Sequence, residues 1–379
     1  MAFVWACALA ATPVVAQKGI PTVDRAKLVK LAEPWPDAET LKASRLDAES
    51  RRLFAASEPL AFTLAADFKA INKDRNPEST NMYPGVLTVD GGAVLHVQLR
   101  PRGHLRRNPR TCSFVPIRVE FDKDEVKGTV FEHQKALKLV THCQGDKEYE
   151  QYPLREYLVY RALNVLTPRS FRARLAHPTY IQTDRDAAKA GGGAAAGKTM
   201  LTRWGVFIED DNDVARRAEA RVMDVPRVVF KELDPDQTSL MMVFEYMIAN
   251  TDYSIFALHN VKLLRTQDKH TYPVPYDFDL AGLVHTAYAA PNQGLGIMSV
   301  RDRLYRGPCR TEAEIQPILD LFKTHKADIL GLYDSLSELD ADYRRDAKDF
   351  LESFYSKISK PNDVRKTFVD GECSKKPLM

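Results

Sequence analysis

The sequence predicts a two-lobed α+β fold, an antiparallel sheet plus one helix in the first lobe and a mainly helical second lobe. Three observations carry that expectation. Residues 86–89, 94–99, 117–121 and 136–140 alternate apolar and polar side chains with a period of two, as half-buried strands do. Leu154, Tyr157, Leu158, Ala162 and Val165 then recur at helical spacing and make one apolar stripe. Beyond residue 210 the pattern turns helical and is interrupted by one short hairpin, so sheet and helices are segregated along the chain.

Taken in order, residues 1–16 carry no charged side chain and end on small residues, with a cleavage point after Ala16; they read as a signal peptide for export to a periplasmic or extracellular location. Residues 17–60 are polar and helix-prone and are broken by Pro34 and Pro36, and 17–85 read as an N-terminal extension. The first lobe spans 86–210. Asp90, Gly91 and Gly92 turn its first two strands into a hairpin, and a helix over 151–166 packs on the sheet. Residues 172–183 and 200–209 add two more strands, joined by a Gly/Ala-rich segment. The second lobe spans 211–379. Its first helix, ending at Ala249, is apolar on nearly every side, and Thr311 with Glu314 forms a capping box for a later one.

Composition narrows the function. With 54 basic and 51 acidic residues the chain carries a net charge of +3, which does not support nucleic-acid binding. No stretch after the signal approaches the roughly 20 apolar residues of a membrane span. Cys7 falls in the signal and leaves Cys112, Cys143, Cys309 and Cys373, an even number that suits an oxidising compartment. Cys112 and Cys143 flank two strand-like runs while Cys309 and Cys373 bracket a helical tail, so 112–143 and 309–373 is the expected pairing; four buried thiols are the alternative. No CxxC spacing points to structural zinc.

Gly192, Gly197, Lys198 and Thr199 satisfy GxxxxGK[ST]. A phosphate-binding loop needs a helix directly behind it, whose N-terminus faces the phosphate. Residues 200–208 read instead as a strand, and the match lies in a run of Gly and Ala that produces it by chance.

The chemistry is carried by residues 250–282. Asp252 follows the buried helix, Asn260 comes eight residues later, and a hairpin returns to Asp277 and Asp279 before Gly282. Phosphoryl transfer needs a carboxylate to take the proton of the attacking hydroxyl, and an amide and carboxylate to hold a divalent metal on the nucleotide phosphates. An Asp, an Asn one loop later and an Asp at the end of a returning strand supply those groups. Each residue also has an ordinary use, in an Asx turn, a cap or a strand end.

These residues resemble the spore coat protein H (CotH) kinases, an atypical branch of the kinase-like fold. The matching pieces are Asn250, Thr251 and Asp252 with Asn260; Pro275, Tyr276, Asp277, Phe278 and Asp279; Arg102, Gly103 and His104; Lys138 on a strand ahead of Glu156; and Trp204 through Glu209. The resemblance spans about residues 86 to 284, and the order of these short pieces carries it. It implies a two-lobed kinase-like fold and an ATP-dependent kinase that uses ATP or another nucleoside triphosphate with Mg²⁺ or Mn²⁺. It implies Asp252 as catalytic base and Asn260 and Asp277 as metal ligands, with Asp279 a further acidic group at the metal. Lys138 is implied to contact phosphate and pair with Glu156 or another acidic helix residue. Arg102 and Gly103 are implied to open the loop over the phosphates, and Glu209 to lie near the adenine. The partners implied are a nucleotide and a hydroxyl-bearing protein or glycan acceptor. Two other readings fit the same residues: a pseudoenzyme of this fold, and an envelope protein whose acidic cluster binds a metal without turnover.

Overall fold

Strand β1 (Leu60–Ala66) decides the architecture, because it pairs on both edges. The chain, described by a computed structural model over residues 32–89, 92–191 and 197–374, runs from β1 through β2 (Tyr83–Val89), β3 (Val94–Pro101), β4 (Ile117–Phe121) and β5 (Ala136–Val140) as an antiparallel meander. After a helix come β6 (Ala173–Gln182), β7 (Lys198–Thr202) and β8 (Gly205–Ile208). β8 inserts between β5 and β6, antiparallel to both, and β6 lies parallel to β1, with Leu60 opposite Ala176 and Ala66 opposite Gln182. The order β1-β2-β3-β4-β5-β8-β6 returns to β1 and closes a seven-stranded barrel, and β7 extends it beyond β6.

The expected two-lobed kinase-like fold is therefore not the one formed. An open first-lobe sheet has two free edges; here the parallel β1–β6 pair removes them, the route by which a barrel satisfies the backbone groups an edge leaves exposed. The segment expected as an extension over 17–85 supplies β1 and the start of β2. In the second half, expected to be mainly helical with one hairpin, β9 (Ala220–Met223), β10 (Val261–Thr266) and β11 (Thr271–Pro275) form a three-stranded antiparallel sheet. The expected hairpin is β10–β11, and β9 is its third strand.

Strand alternation sorts the barrel residues. Phe62, Leu64, Leu87, Val97, Leu99, Val119, Leu137, Leu139, Tyr180 and Phe207 fill the interior. Val140, Leu175, Val206 and Ile208 face outward onto helix α2 (Gln151–Leu166), whose buried side includes Leu154, Leu158 and Leu163. α1 (Ala38–Glu49) precedes the barrel, and α3 (Asp211–Arg217) follows β8 directly. The second half contains α4 (Pro235–Met247), buried from Gln237 to its end, then α5 (Glu312–Thr324), α6 (Lys326–Ser335) and α7 (Ala341–Ile358). The capping box at Thr311 and Glu314 is present at the start of α5.

The two disulfides join Cys112 to Cys143 and Cys309 to Cys373, the expected pairing. Lys198 and Thr199 of the GxxxxGK[ST] match are the first residues of β7, a strand, while Gly192 lies outside the described residues, as does the expected signal peptide over 1–16. Among the described residues no helix is long and apolar enough to cross a membrane.

Candidate functional site

The outer face of β5 meets α2, α3 and the β10–β11 hairpin, and a set of charged and polar residues converges along that seam. Leu137 and Leu139 point into the barrel, so Lys138 between them points out. Its ammonium lies 2.8 Å from Asp211 Oδ1 and 4.8 Å from the Tyr276 ring centre. Lys262, at the start of β10, lies 3.0 Å from Asp211 Oδ2. Asp211 opens α3 and bridges the two lysines. Burial raises its pKa, yet Lys138 and Lys262 outweigh that and hold it below the ordinary carboxylate value. The Lys138 ammonium shifts down, chiefly because it is buried.

The turn after α4 shapes the next part. Ala249 takes a left-handed conformation (φ 51°), and Asn250 Oδ1 accepts the Asp252 N–H at 3.0 Å, an Asx turn. Arg306 Nη1 donates to the carbonyls of Thr251 (2.9 Å) and Tyr253 (2.7 Å) from outside the turn. An isolated bridge between Ser254 and His259 brings the chain back. Asn260 Nδ2 then donates to the Asp252 carbonyl at 2.7 Å and to its Oδ2 at 3.0 Å, while His259 Nε2 lies 3.2 Å from Oδ1. The eight-residue separation between Asp252 and Asn260 is thus closed by direct contact. The Asp252 carboxylate raises the His259 pKa.

At the far end of the hairpin, Asp277 follows β11 with φ 66°, and its N–H donates to Tyr160 Oη at 2.9 Å. Asn260 is also left-handed (φ 54°). Asn and Asp tolerate that conformation better than most residues, and such strain is concentrated at functional sites. Asp279 accepts from Tyr288 Oη at 3.0 Å. Glu156 stands one turn before Tyr160 on α2, is almost fully buried, and its Oε1 has no hydrogen-bond partner among the described residues.

Charge is poorly balanced here. Burial first, then Asp279 and Asp277, push the Glu156 carboxyl well above its ordinary value, against the pull of Arg106 and Arg102. Burial and then Asp277 raise Asp279, again against Arg106. Arg106, itself buried, donates to the Thr141 carbonyl and lies among Tyr288, Asp279, Glu156 and Asp277. Arg106, with Arg102 also acting on Glu156, thus offsets three buried or half-buried carboxylates only in part, and a cation is needed for all of them to ionise together.

A divalent ion fits that demand in part. Among the described residues no three His, Cys, Asp or Glu side chains form a set able to hold a metal by themselves. Asn260, Asp277 and Asp279 offer an oxygen-only donor set with two carboxylates. Hard cations such as Mg²⁺ are held by that number of carboxylates when substrate phosphates complete the shell.

The residues singled out in the sequence are distributed as follows. Asp252 and Asn260 touch; Asp277, Asp279 and Glu156 form one electrostatic cluster; Arg102 stands close enough to act on both Glu156 and Lys138. Lys138 pairs with Asp211, an acidic residue at the start of a helix, and not with Glu156. Gly103 is exposed with φ 82°, where a side chain would be strained. Glu209 is elsewhere: fully buried, with both oxygens taken by Arg172 and Arg217.

Asp211, Lys262, Arg106 and Tyr160 also belong to the site, and sequence reasoning does not reach them. The acidic doublet Asp210 and Asp211 at the N-terminus of α3 is the available signal for one. Nothing local marks Arg106 as buried, since Arg102, Arg106, Arg107 and Arg110 read as one basic loop. No protein-family model matches the chain, and no curated protein matches it.

Proposed function

We propose that this protein is an exported phosphotransferase that moves the γ-phosphoryl group of a nucleoside triphosphate to a hydroxyl of a protein or glycan. The observation that carries this reading is the opposition, across one seam, of an under-neutralised carboxylate–amide cluster (Asp252, Asn260, Asp277, Asp279) and two lysines held by Asp211. Carboxylates alone suit a bare metal, and lysines alone suit a simple anion. Their combination suits a metal–polyphosphate. The resemblance to the CotH kinases is retained for this chemistry and not for the fold.

Bound Mg²⁺ or Mn²⁺ supplies charge neutralisation on the phosphates. Asn260, Asp277 and Asp279 would hold it, and Lys138 and Lys262 would meet the remaining phosphate charge. Asp252 accepts the proton of the acceptor hydroxyl, whose oxygen forms the new bond to phosphorus as the bond to the β-phosphate oxygen breaks and nucleoside diphosphate leaves. The Asn260 amide fixes the orientation of the Asp252 carboxylate. Two disulfides support a working site in an oxidising compartment.

The test measures thermal stability and phosphate transfer with ATP and Mg²⁺ or Mn²⁺. A nucleotide- and metal-dependent rise in Tm is expected, lost in Asp277→Ala. Asp252→Ala is expected to keep the rise and lose transfer by about 10³-fold or more. Absence of any nucleotide-dependent shift in the parent protein sinks the proposal, and a shift with metal alone favours a metal-binding envelope protein.

A further inference from the structure

We infer a second, separate anion site at the other end of α2, in a cavity of about 330 Å³ lined by Arg161, Arg172 and Arg217 together with Ser57, Asn164 and Thr167. It takes a tetrahedral oxyanion, as inorganic phosphate or sulfate or as a monoester of either. The inference does not rest on the phosphotransferase reading, because the cavity shares no residue with the Asp252–Asp279 cluster.

Three arginines from three elements converge: Arg161 from α2, Arg172 from the approach to β6 and Arg217 from the last residue of α3. No acidic residue lines the cavity. The single carboxylate that serves two of them, Glu209, is wholly buried and outside the lining, accepting from Arg172 Nε at 2.9 Å and Arg217 Nη2 at 2.8 Å. Glu58, which accepts from Ser57 Oγ at 3.2 Å, is exposed and also outside the lining. The set therefore keeps an excess of positive charge facing the cavity.

The arginines contribute differently. Arg172 and Arg217 are held rigid, since they also donate to the carbonyls of Ala48, Glu49, Pro168 and Ser170. Their side chains supply a fixed field and few spare hydrogens. Arg161 supplies the donors: its one hydrogen bond is to Tyr157 Oη at 2.7 Å, and no carboxylate lies within ion-pair distance among the described residues. Most of its five N–H groups remain available in the fork geometry that suits phosphate and sulfate. The hydroxyls of Ser57 and Thr167 complete the polar lining. The C-terminal end of α2 disfavours an anion, so the site depends on the arginine charge exceeding that helix-end effect.

Isothermal titration with inorganic phosphate and with sulfate, at constant ionic strength held with chloride and without nucleotide or divalent metal, tests the inference. Phenyl phosphate against phenol distinguishes a monoester from the free ion. Saturable 1:1 binding is expected, weakened at least about tenfold in Arg161→Gln, a loss of about 1.4 kcal/mol, and only partly restored in Arg161→Lys. Ser57→Asp, which places a carboxylate in the exposed lining, is expected to weaken binding as well and provides a second variant at a position outside the core. Binding unchanged in both variants, or no binding beyond that of chloride, overturns the inference. Loss of phosphate binding in Lys138→Ala with Arg161→Gln unaffected does the same, by placing the anion in the other site.

Discussion

The barrel interior and the seam outside β5 are separated by the thickness of one strand and follow opposite physical rules. On the inner side, Leu137 and Leu139 join Phe62, Phe131 and Phe207, all buried, with the Phe62 and Phe207 rings stacked at 5.5 Å. Burial there is favourable by about 25 cal/mol per Å² of apolar surface, and these side chains carry no charge to desolvate. On the outer side, Lys138 enters a region where Glu156, Asp279 and Arg106 are also buried, with fewer countercharges than carboxylates. Asn260 and Asp277 add left-handed backbone. The first region accounts for stability; the second is stability given up, as expected where groups are arranged to act on a ligand.

The contrast is broken most severely from the inner side. Phe207→Ala leaves a cavity in the barrel and is expected to destabilise the protein by about 4 kcal/mol, measured by urea unfolding. Replacing Cys112 and Cys143 by Ser removes the link that ties the loop carrying Arg106 to the end of β5. It is expected to cost about 3.7 kcal/mol for a separation of 31 residues, and also to weaken any metal- and nucleotide-dependent rise in Tm. An unchanged rise would mean that the loop does not depend on this link.

The outer side is expected to respond to pH. Burial raises the folded-state pKa of Glu156 and Asp279, and that of Glu245, on the helix ahead of the Asn250–Asp252 turn, to about 8. The folded protein therefore holds protons that the unfolded chain has already released. The stability from these groups is fully present below their unfolded values and is lost as pH rises towards the raised ones, from about 4.5 to about 8 for Glu245. Metal-free protein should show Tm falling across that range, and Glu245→Gln should flatten the fall; a flat profile in the parent protein contradicts the charge imbalance. The smallest effect has the opposite sign. Glu156→Gln removes a buried carboxylate and is expected to raise stability at pH 8 by about 1 kcal/mol while leaving the barrel unchanged.

Much of the local structure is legible in the sequence. The strands at 117–121 and 136–140, helix 151–166, the hairpin after Asn260 and the capping box at Thr311 each follow from a period, a turn or a cap confined to a few neighbouring residues. β1 is not legible, because Leu60–Ala66 alternates weakly and follows a polar stretch, and because its defining partner, β6, lies more than a hundred residues away. Glu209 shows the limit in the candidate site: an acidic residue at a strand end reads alike whether it faces a ligand or, as here, two arginines.

Most of the strands and helices, and the placement of Asp252, Asn260, Asp277 and Asp279 on one helix-turn-hairpin unit, follow from the sequence; it also suggested the pairing 112–143 and 309–373, which the structure shows. Tertiary structure alone decided that the sheet closes, that Asp211 and not Glu156 takes Lys138, and that Arg106 is buried among carboxylates. The physical reason is range. Periodicity, turns and caps act between residues a few positions apart, whereas strand pairing and the burial of charge depend on which distant surfaces meet.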